Sequence, residues 1–196
     1  MGRRLGIKRL NALSKNGAKV TGSLGNGASG SVGHRMIRKI GQEIITEIYV
    51  DLASSQGAFS QPGTTGLILG HSSSNSAGVS TSQNAELTHI TEKENGVVTL
   101  VEMTCVEAPT GGDPDIDLVY ATAAKTFSGS AGTALIAAGG ALVLGSENAT
   151  LFDANELREN NIYLSYGGAT DRAAAATYTA GKLIIRLYGH AVPEDV

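Results

Sequence analysis

Hydrophobic and polar residues alternate along several short stretches of the chain, most clearly over residues 41–52. The positions on one side of this stretch are Ile44, Thr46, Ile48, Val50 and Leu52, and those on the other are Glu47, Tyr49 and Asp51. Successive side chains of a β-strand point to opposite faces, so a period of two indicates a strand with one buried face. The pattern therefore predicts a strand that packs its apolar side on a core.

Further short apolar or alternating stretches predict more strands. They lie at residues 66–70, 85–92, 97–107, 116–122, 134–144, 162–166 and 178–189, with the 134–144 stretch split into two pieces at Gly139–Gly140. In the last stretch Leu183, Ile185 and Leu187 face one way, while Lys182, Ile184, Arg186 and Tyr188 face the other. The stretches at 162–166 and 178–189 are expected to form a closing hairpin or a sandwich pair.

Two local signals predict a turn and a helix between these strands. Asn95-Gly96 is typical of a β-hairpin turn. Asp153, with Glu156 three residues later, has the spacing of a capping box and predicts a helix over residues 154–160. Eight or nine short strands with one short helix predict a mainly-β fold, a β-sandwich of jelly-roll-like type.

The charges divide the chain into two parts. Residues 1–42 hold nine Lys and Arg and no Asp or Glu, whereas residues 43–196 hold six basic and eighteen acidic side chains. Residues 16–33 are rich in glycine and poor in large side chains, so on their own they bury too little apolar surface to offset their ordering entropy. The sequence thus predicts an extended basic N-terminal arm, residues 1–40, joined to a β-sandwich body, residues 41–196.

One acidic motif in the body has the spacing of a metal site. Asp113, Asp115 and Asp117 match the first ligands of a calcium loop, but Leu118 stands where glycine is wanted and Ala124 where a bidentate glutamate is wanted. A solvated turn that enters a strand is the favoured interpretation, and a metal held by the three carboxylates stays open.

No catalytic constellation or cofactor motif is evident in the rest of the body. A single cysteine, Cys105, excludes an internal disulfide and a cysteine zinc site, and the four histidines share no metal-ligand spacing. We therefore expect a non-enzymatic protein without a cofactor.

The arm carries the candidate partner-binding residues. They are Arg3, Arg4, Leu5, Lys8, Arg9, Leu10, Lys15, Arg35, Arg38 and Lys39. Apolar residues interleaved with the cations suit a protein surface better than a phosphate backbone. Nucleic acid stays an alternative because the cations would neutralise several phosphates, although no aromatic side chain for base stacking precedes Tyr49.

The stretch from Tyr178 to Gly189 resembles the closing strand of small structural proteins in tailed-bacteriophage virions. The first six residues and the strand at 42–52 share this likeness, within a body rich in Gly, Ala, Ser and Thr that has no Trp. The resemblance implies a head decoration (cement) protein. Such proteins are often β-rich homotrimers that sit on the capsid surface and clamp neighbouring major capsid subunits, and the family supplies no catalytic residues.

This resemblance sets the expected partner and place of the protein. The expected partner is the major capsid protein, the expected location is the capsid surface of a virion, and no membrane is involved. Two alternatives stay open: a tail-tube, adaptor or appendage protein of the phage, and a packaging protein that binds nucleic acid through the arm.

Overall fold

A computed structural model describes residues 19–21, 32–53, 58–70, 85–125, 128–153, 156–167 and 175–191, with the backbone alone for 19–21, 32–36 and 38. Within these ranges the chain forms twelve strands and one short helix. They are β1 Lys19–Thr21, β2 Val32–Ile40, β3 Glu43–Asp51, β4 Ser60–Gln61, β5 Thr88–His89, α1 Glu92–Asn95, β6 Val97–Thr110, β7 Ile116–Ala121, β8 Thr133–Ile136, β9 Glu147–Leu151, β10 Asn161–Tyr166, β11 Ala176–Thr177 and β12 Ala180–His190.

Two antiparallel sheets share one hydrophobic core. The larger sheet has the strand order β1-β2-β3-β12-β6-β9, the smaller has the order β5-β10-β7-β8, and β11 pairs with β4 separately. Ile48, Met103 and Ile185 from the six-stranded sheet lie in the same buried cluster as Leu118 and Leu164 from the four-stranded sheet. The predicted mainly-β, sandwich-like class with one short helix is therefore confirmed.

The two stretches with the clearest alternation form adjacent strands at the centre of the larger sheet. Every apolar-side position predicted for residues 44–52 is buried, Leu52 directly after β3 and the others within it. Leu183, Ile185 and Leu187 are buried in β12. β12 pairs with β3 on one side and with β6 on the other along almost its whole length. β10 and β12 lie in different sheets, so the stretches predicted as a hairpin or a sandwich pair form the sandwich pair.

The four-stranded sheet is covered on both faces, as β10 shows. Leu164 and its neighbours on one face of β10 join the main core. Tyr163 on the other face packs with Ile68, Ala85 and Val119 in a second buried cluster. The predicted strand at 66–70 forms only isolated bridges, among them Ile68 with Ser165. It serves mainly as a cover for this face.

The predicted helix over residues 154–160 is wrong for its described part, residues 156–160, which form turns. The backbone N–H of Asn160 donates to the carbonyl of Leu157, three residues back, rather than to a residue four back. The Asn160 side chain donates to the carbonyls of Glu156 and Arg158, and Glu159 has a φ of 54°. An asparagine side chain that bonds the local backbone competes with helical hydrogen bonds.

The only helix in the described residues, α1, lies where a hairpin turn was predicted. The Thr91 hydroxyl caps its N-terminus by accepting from the Glu94 N–H, and Gly96 ends it with a φ of 67°. A Cβ at Gly96 would lie 2.3 Å from the carbonyl oxygen of His190. Asn95-Gly96 thus terminates a helix instead of joining two strands. Asn95 is buried and donates to the Thr46 hydroxyl at 2.8 Å, which satisfies the one polar side chain on the buried side of β3.

The stretch at 134–144 gives one strand instead of two. Its first part is β8, whereas residues 137–146 form a loop in which Gly139 has a φ of 65°. The strand that follows, β9, was not predicted. In β6 the first buried position is Val98, and the register against β12 shifts between Tyr188 and Gly189.

Part of the sequence assigned to the arm lies in the larger sheet. Residues 32–40 form β2, which pairs with β3 across a turn at Gly41, and residues 19–21 form β1 at the edge beside it. The basic residues Arg35, Arg38 and Lys39 are therefore held on a strand of the body.

A pair of alanine substitutions tests the facing of β12. Ile185 is fully buried at the middle of the strand, and Ile184 points to the opposite face. We expect Ile185→Ala to lower the free energy of unfolding by about 2–5 kcal/mol, because it removes buried methyl groups and leaves a cavity. The matched change Ile184→Ala should cost less than half as much. Urea unfolding measures both values, and equal losses would contradict the assigned facing.

Candidate assembly surface

The outer face of the six-stranded sheet, the face directed away from the core, carries ion pairs across its central strands. The Arg186 Nε donates to the Glu47 Oε2 at 2.9 Å, and the Tyr188 hydroxyl donates to the Glu102 Oε2 at 2.7 Å. Burial and the bond to Glu102 raise the pKa of Tyr188 to about 12. Lys182 also bonds to Glu107. These contacts cross from β12 to β3 and to β6, so they fix the outer face in the register that the core requires.

An apolar row crosses the same outer face and ends at β9. Tyr188 lies opposite Ile45 on one side and Leu100 on the other, and Leu100 lies opposite Leu151. The first three side chains are half-buried by their neighbours, whereas Leu151 is 78% exposed because β9 is the outermost strand. The row therefore runs from the centre of the sheet to an uncovered side chain at its edge.

The three most exposed large hydrophobic residues of the described chain lie in or directly before β9. They are Leu151, Leu144, which is 73% exposed, and Val143, which is 59% exposed. Residues 143–151, called the β9 edge here, thus combine an apolar surface with an outermost strand. Edge strands are usually protected by lysine, proline or a cover, since they offer unpaired backbone groups. The β9 edge has neither lysine nor proline, and Glu147 is its one charged residue.

The turn before β9 fixes Val143 and Leu144 on the surface. On one side of them Leu142 is buried, and its N–H donates to the Pro114 carbonyl. On the other side the Gly145 N–H donates to the Cys105 carbonyl at 2.9 Å. Held at both ends, the turn has no path by which its two apolar side chains could enter the core.

The backbone of β9 directs alternate polar groups away from the sheet. The Phe152 N–H donates to the Thr99 carbonyl at 2.9 Å, and the Cys105 N–H donates to the Ser146 carbonyl at 2.8 Å. Even-numbered residues of this segment therefore bond to β6. In an antiparallel strand the residues between them point their N–H and C=O groups the other way. Glu147, Ala149 and Leu151 thus present their backbone groups outward, and among the described residues none of these groups has a hydrogen-bond partner.

Asp113 and Asp115 lie in a buried polar cluster rather than on a solvated turn, which corrects the favoured interpretation of this motif. The Asp113 Oδ1 accepts from the Asp115 N–H at 2.9 Å, and the Asp113 carbonyl accepts from the Tyr178 hydroxyl at 2.8 Å. Burial and the charge of Asp113 raise the pKa of the Tyr178 hydroxyl. A Cβ at Gly167 would lie 2.6 Å from the Asp115 carboxyl carbon. The cluster is closely packed and anchors the loop between β6 and β7.

Asp117 has a separate role at the start of β7. Its Oδ1 accepts from the Ala138 N–H at 2.8 Å and so holds the chain that follows β8. Burial raises the pKa of this carboxyl, the bond from Ala138 opposes the rise, and the negative charge of Asp115 adds to it. Across the described ranges, no three carboxylate, imidazole or thiolate side chains are placed to hold a metal ion together.

The structure describes only some of the predicted arm residues. Arg3, Arg4, Leu5, Lys8, Arg9, Leu10 and Lys15 lie outside the described residues. Arg35 and Arg38 are described as backbone of β2, and Lys39 is exposed, with its Nζ donating to the Lys93 carbonyl at 3.4 Å.

No protein-family model, no curated protein and no solved structure matches this chain. The described residues contain no helix with the length and apolar character needed to cross a lipid bilayer.

Replacing Asp117 tests its effect on the pH dependence of stability. A raised pKa in the folded state means that ionising Asp117 costs stability. The free energy of unfolding therefore falls as the pH rises from the ordinary aspartate pKa to the folded one, and it stays lower above that interval. Asp117→Asn keeps an acceptor for Ala138 and removes the ionisation. We therefore expect the free energy of unfolding of this variant, taken relative to that of the wild type, to be higher at pH 7 than at about pH 3.

Urea unfolding of both proteins at the two pH values gives this double difference. Asp153→Asn is the control, because Asp153 is an exposed aspartate outside the cluster. An Asp117→Asn difference that is the same at both pH values would contradict the assignment.

Proposed function

We propose that the protein is a non-enzymatic structural component that decorates and stabilises a tailed-phage capsid. The body sits on the capsid surface of the virion, and the basic N-terminal arm docks on major capsid subunits. The observation that carries this proposal is the β9 edge, which combines an outermost strand with three exposed large hydrophobic residues that no described residue covers. Open strand edges and exposed apolar patches are typical of surfaces that contact other chains. The chain acts by assembling with other proteins, both with further copies of itself and with the shell.

The distribution of charge supports the docking role of the arm. Three of the nine cations in residues 1–42 belong to β2, Lys19 belongs to β1, and the other five lie in residues 1–18. The 18 residues before β1 would reach up to about 60 Å if fully extended. The arm can therefore contact a neighbouring acidic surface at some distance from the body that carries it.

The roles of the buried carboxylates support a non-enzymatic function. Asp113 and Asp117 accept hydrogen bonds from the backbone N–H groups that their loops require. On the outer face, Glu47, Glu102 and Glu107 pair with side chains of β12. These acidic groups have hydrogen-bond partners within the fold, and general acid–base chemistry would instead need a carboxyl aimed at a bound substrate.

Two other assembly roles use the same features. A tail-tube, adaptor or appendage protein would form rings through its sheet edges. A packaging protein would bind nucleic acid through the six cations before residue 22, and the affinity would fall steeply as salt increases.

A charge reversal in the arm tests the proposed docking. We expect Arg3→Glu with Arg4→Glu to weaken co-sedimentation with shells of the cognate major capsid protein at least tenfold, because the reversed charges oppose an acidic docking surface. The matched control is Lys93→Glu with Lys125→Glu, which reverses two charges on the body. Binding of the arm variant at wild-type strength would overturn docking by the arm. Failure of the wild type to bind shells, with nucleic acid bound through the arm, would favour the packaging role.

A further inference from the structure

We propose that two copies of the chain pair through their β9 strands about a two-fold axis that passes between the two copies of Ala149. The pairing joins two six-stranded sheets into one continuous sheet. This inference deepens the proposed function, because it names a second copy as the partner of the β9 edge. It rests on the proposed function only for the role that the pair would have on a capsid.

The outward backbone groups of β9 fit an antiparallel copy of the same strand. In such a pair, two residues directly opposite each other exchange both N–H···O=C bonds when their polar groups point at each other. Antiparallel pairing centred on Ala149 sets Ala149 against Ala149, and Glu147 against Leu151, in the two copies. All three are residues whose backbone groups point outward. The pairing would thus form about six hydrogen bonds with every outward group of β9 used.

The side chains favour this centre over the neighbouring ones. Glu147, Ala149 and Leu151 lie on the outer face of the sheet, opposite Thr104, Glu102 and Leu100 of β6. With the axis at Ala149, this small residue is the one that lies opposite its own copy. The carboxylate of Glu147 in each strand then lies opposite Leu151 of the other copy. Pairing centred on Glu147 would place two carboxylates directly opposite each other, which is destabilising. Only the Ala149 centre uses all five residues of the strand.

The same axis brings the exposed apolar side chains of the two copies together. In antiparallel pairing, the Leu151 end of one strand lies beside the Glu147 end of the other. The turn with Val143 and Leu144 directly precedes Glu147. Leu151 of each copy therefore approaches the Val143–Leu144 turn of the other, and the most exposed large hydrophobic residues of the described chain become covered. A surface that is complementary to itself in this way forms a closed two-fold pair.

A two-fold pair differs from the trimer that the resemblance implies, and it determines where the arms lie. β1 and β9 are the opposite edges of the six-stranded sheet. Joining two sheets through β9 places the two β1 strands at the far edges, about 50 Å apart along the sheet at the usual strand spacing. Each pair would therefore present two arms to two separate capsid subunits.

Opposite charges placed on the axis test the pairing directly. Ala149 is exposed on its strand, so Ala149→Asp and Ala149→Lys should each fold. In the pair, each change sets two like charges directly opposite each other. We expect the wild type, a chain of 20.1 kDa, to approach twice the chain mass as its concentration rises in size exclusion with light scattering. Each variant alone should have the mass of one chain, with a dimer dissociation constant raised at least tenfold.

Mixing the two variants provides the decisive comparison. Because only a residue on a two-fold axis meets itself, an equimolar mixture should recover the dimer as one-to-one pairs. Ala124→Asp and Ala124→Lys are the matched controls, since Ala124 is exposed in the loop after β7, and they should stay dimeric. A wild type that stays at one chain mass at every concentration, or that reaches three chain masses, would overturn the proposal. A mixture that stays monomeric at a concentration where the wild type is dimeric would overturn it as well.

A cross-link gives a second, independent readout. Residues that exchange both hydrogen bonds across an antiparallel pair have Cα atoms about 5.5 Å apart, within the range that a disulfide spans. Ala149→Cys should therefore form an intermolecular disulfide on mild oxidation, while Ala124→Cys should not. Equal cross-linking at the two positions would overturn the pairing. The native Cys105 is buried and does not compete.

The outcomes separate this inference from the proposed function. A dimer that does not bind capsid shells leaves the pairing through β9 intact and overturns the decoration role. A monomer that binds capsid shells through its arm overturns the pairing and leaves the decoration role intact.

Discussion

The fold depends on the burial of β12 between β3 and β6. Side chains alternate along a strand, so a shift of β12 by one residue against β3 or β6 would turn its faces over. Leu183 and Ile185 would then reach the surface, and Lys182 and Arg186 would enter the core. The ion pair of Arg186 with Glu47 and the bond of Tyr188 to Glu102 need the same register on the outer face. Core and surface therefore specify one arrangement, and the other strands of the larger sheet take their positions from it.

This arrangement leaves the two sheets in different environments. In the smaller sheet, both faces of β10 are buried. The shared core covers one face, and Ile68 and Ala85 cover the other. The outer face of the larger sheet has no such cover among the described residues, and its strand β9 ends the sheet. Among the described residues, the strongest apolar exposure is thus found on the larger sheet, where its outer face meets its edge.

The strands that could be predicted from the sequence are those whose alternation of apolar and polar residues is visible within the strand itself. The alternation in β3 and β12 reports one buried face directly, so it gave both the strands and their buried positions. β9 has the sequence Glu-Asn-Ala-Thr-Leu, which holds one large apolar residue and no clear alternation. It becomes a strand because β6, which lies much earlier in the chain, offers it a partner. The exposure of Leu151 follows from that placement. Asn95-Gly96 is compatible with both a hairpin and a helix end, and the close approach of the His190 backbone, which leaves no room for a Cβ at Gly96, is not visible in the sequence. The burial of Asp113 likewise depends on Gln61 and Tyr178, which are distant in sequence.

The small size of the β9 edge limits how tightly two copies would bind each other, both in solution and on a capsid shell. A five-residue strand pair with a few apolar side chains is small beside the interfaces of stable dimers, so pairing in solution would depend strongly on concentration. On a shell the situation changes, because docking one arm holds the second arm of the pair close to another subunit. The second contact then forms at a high effective concentration, and several weak contacts give strong retention. A weak edge and a long basic arm are therefore consistent with each other, since cooperation on the lattice would supply the affinity that neither contact has alone.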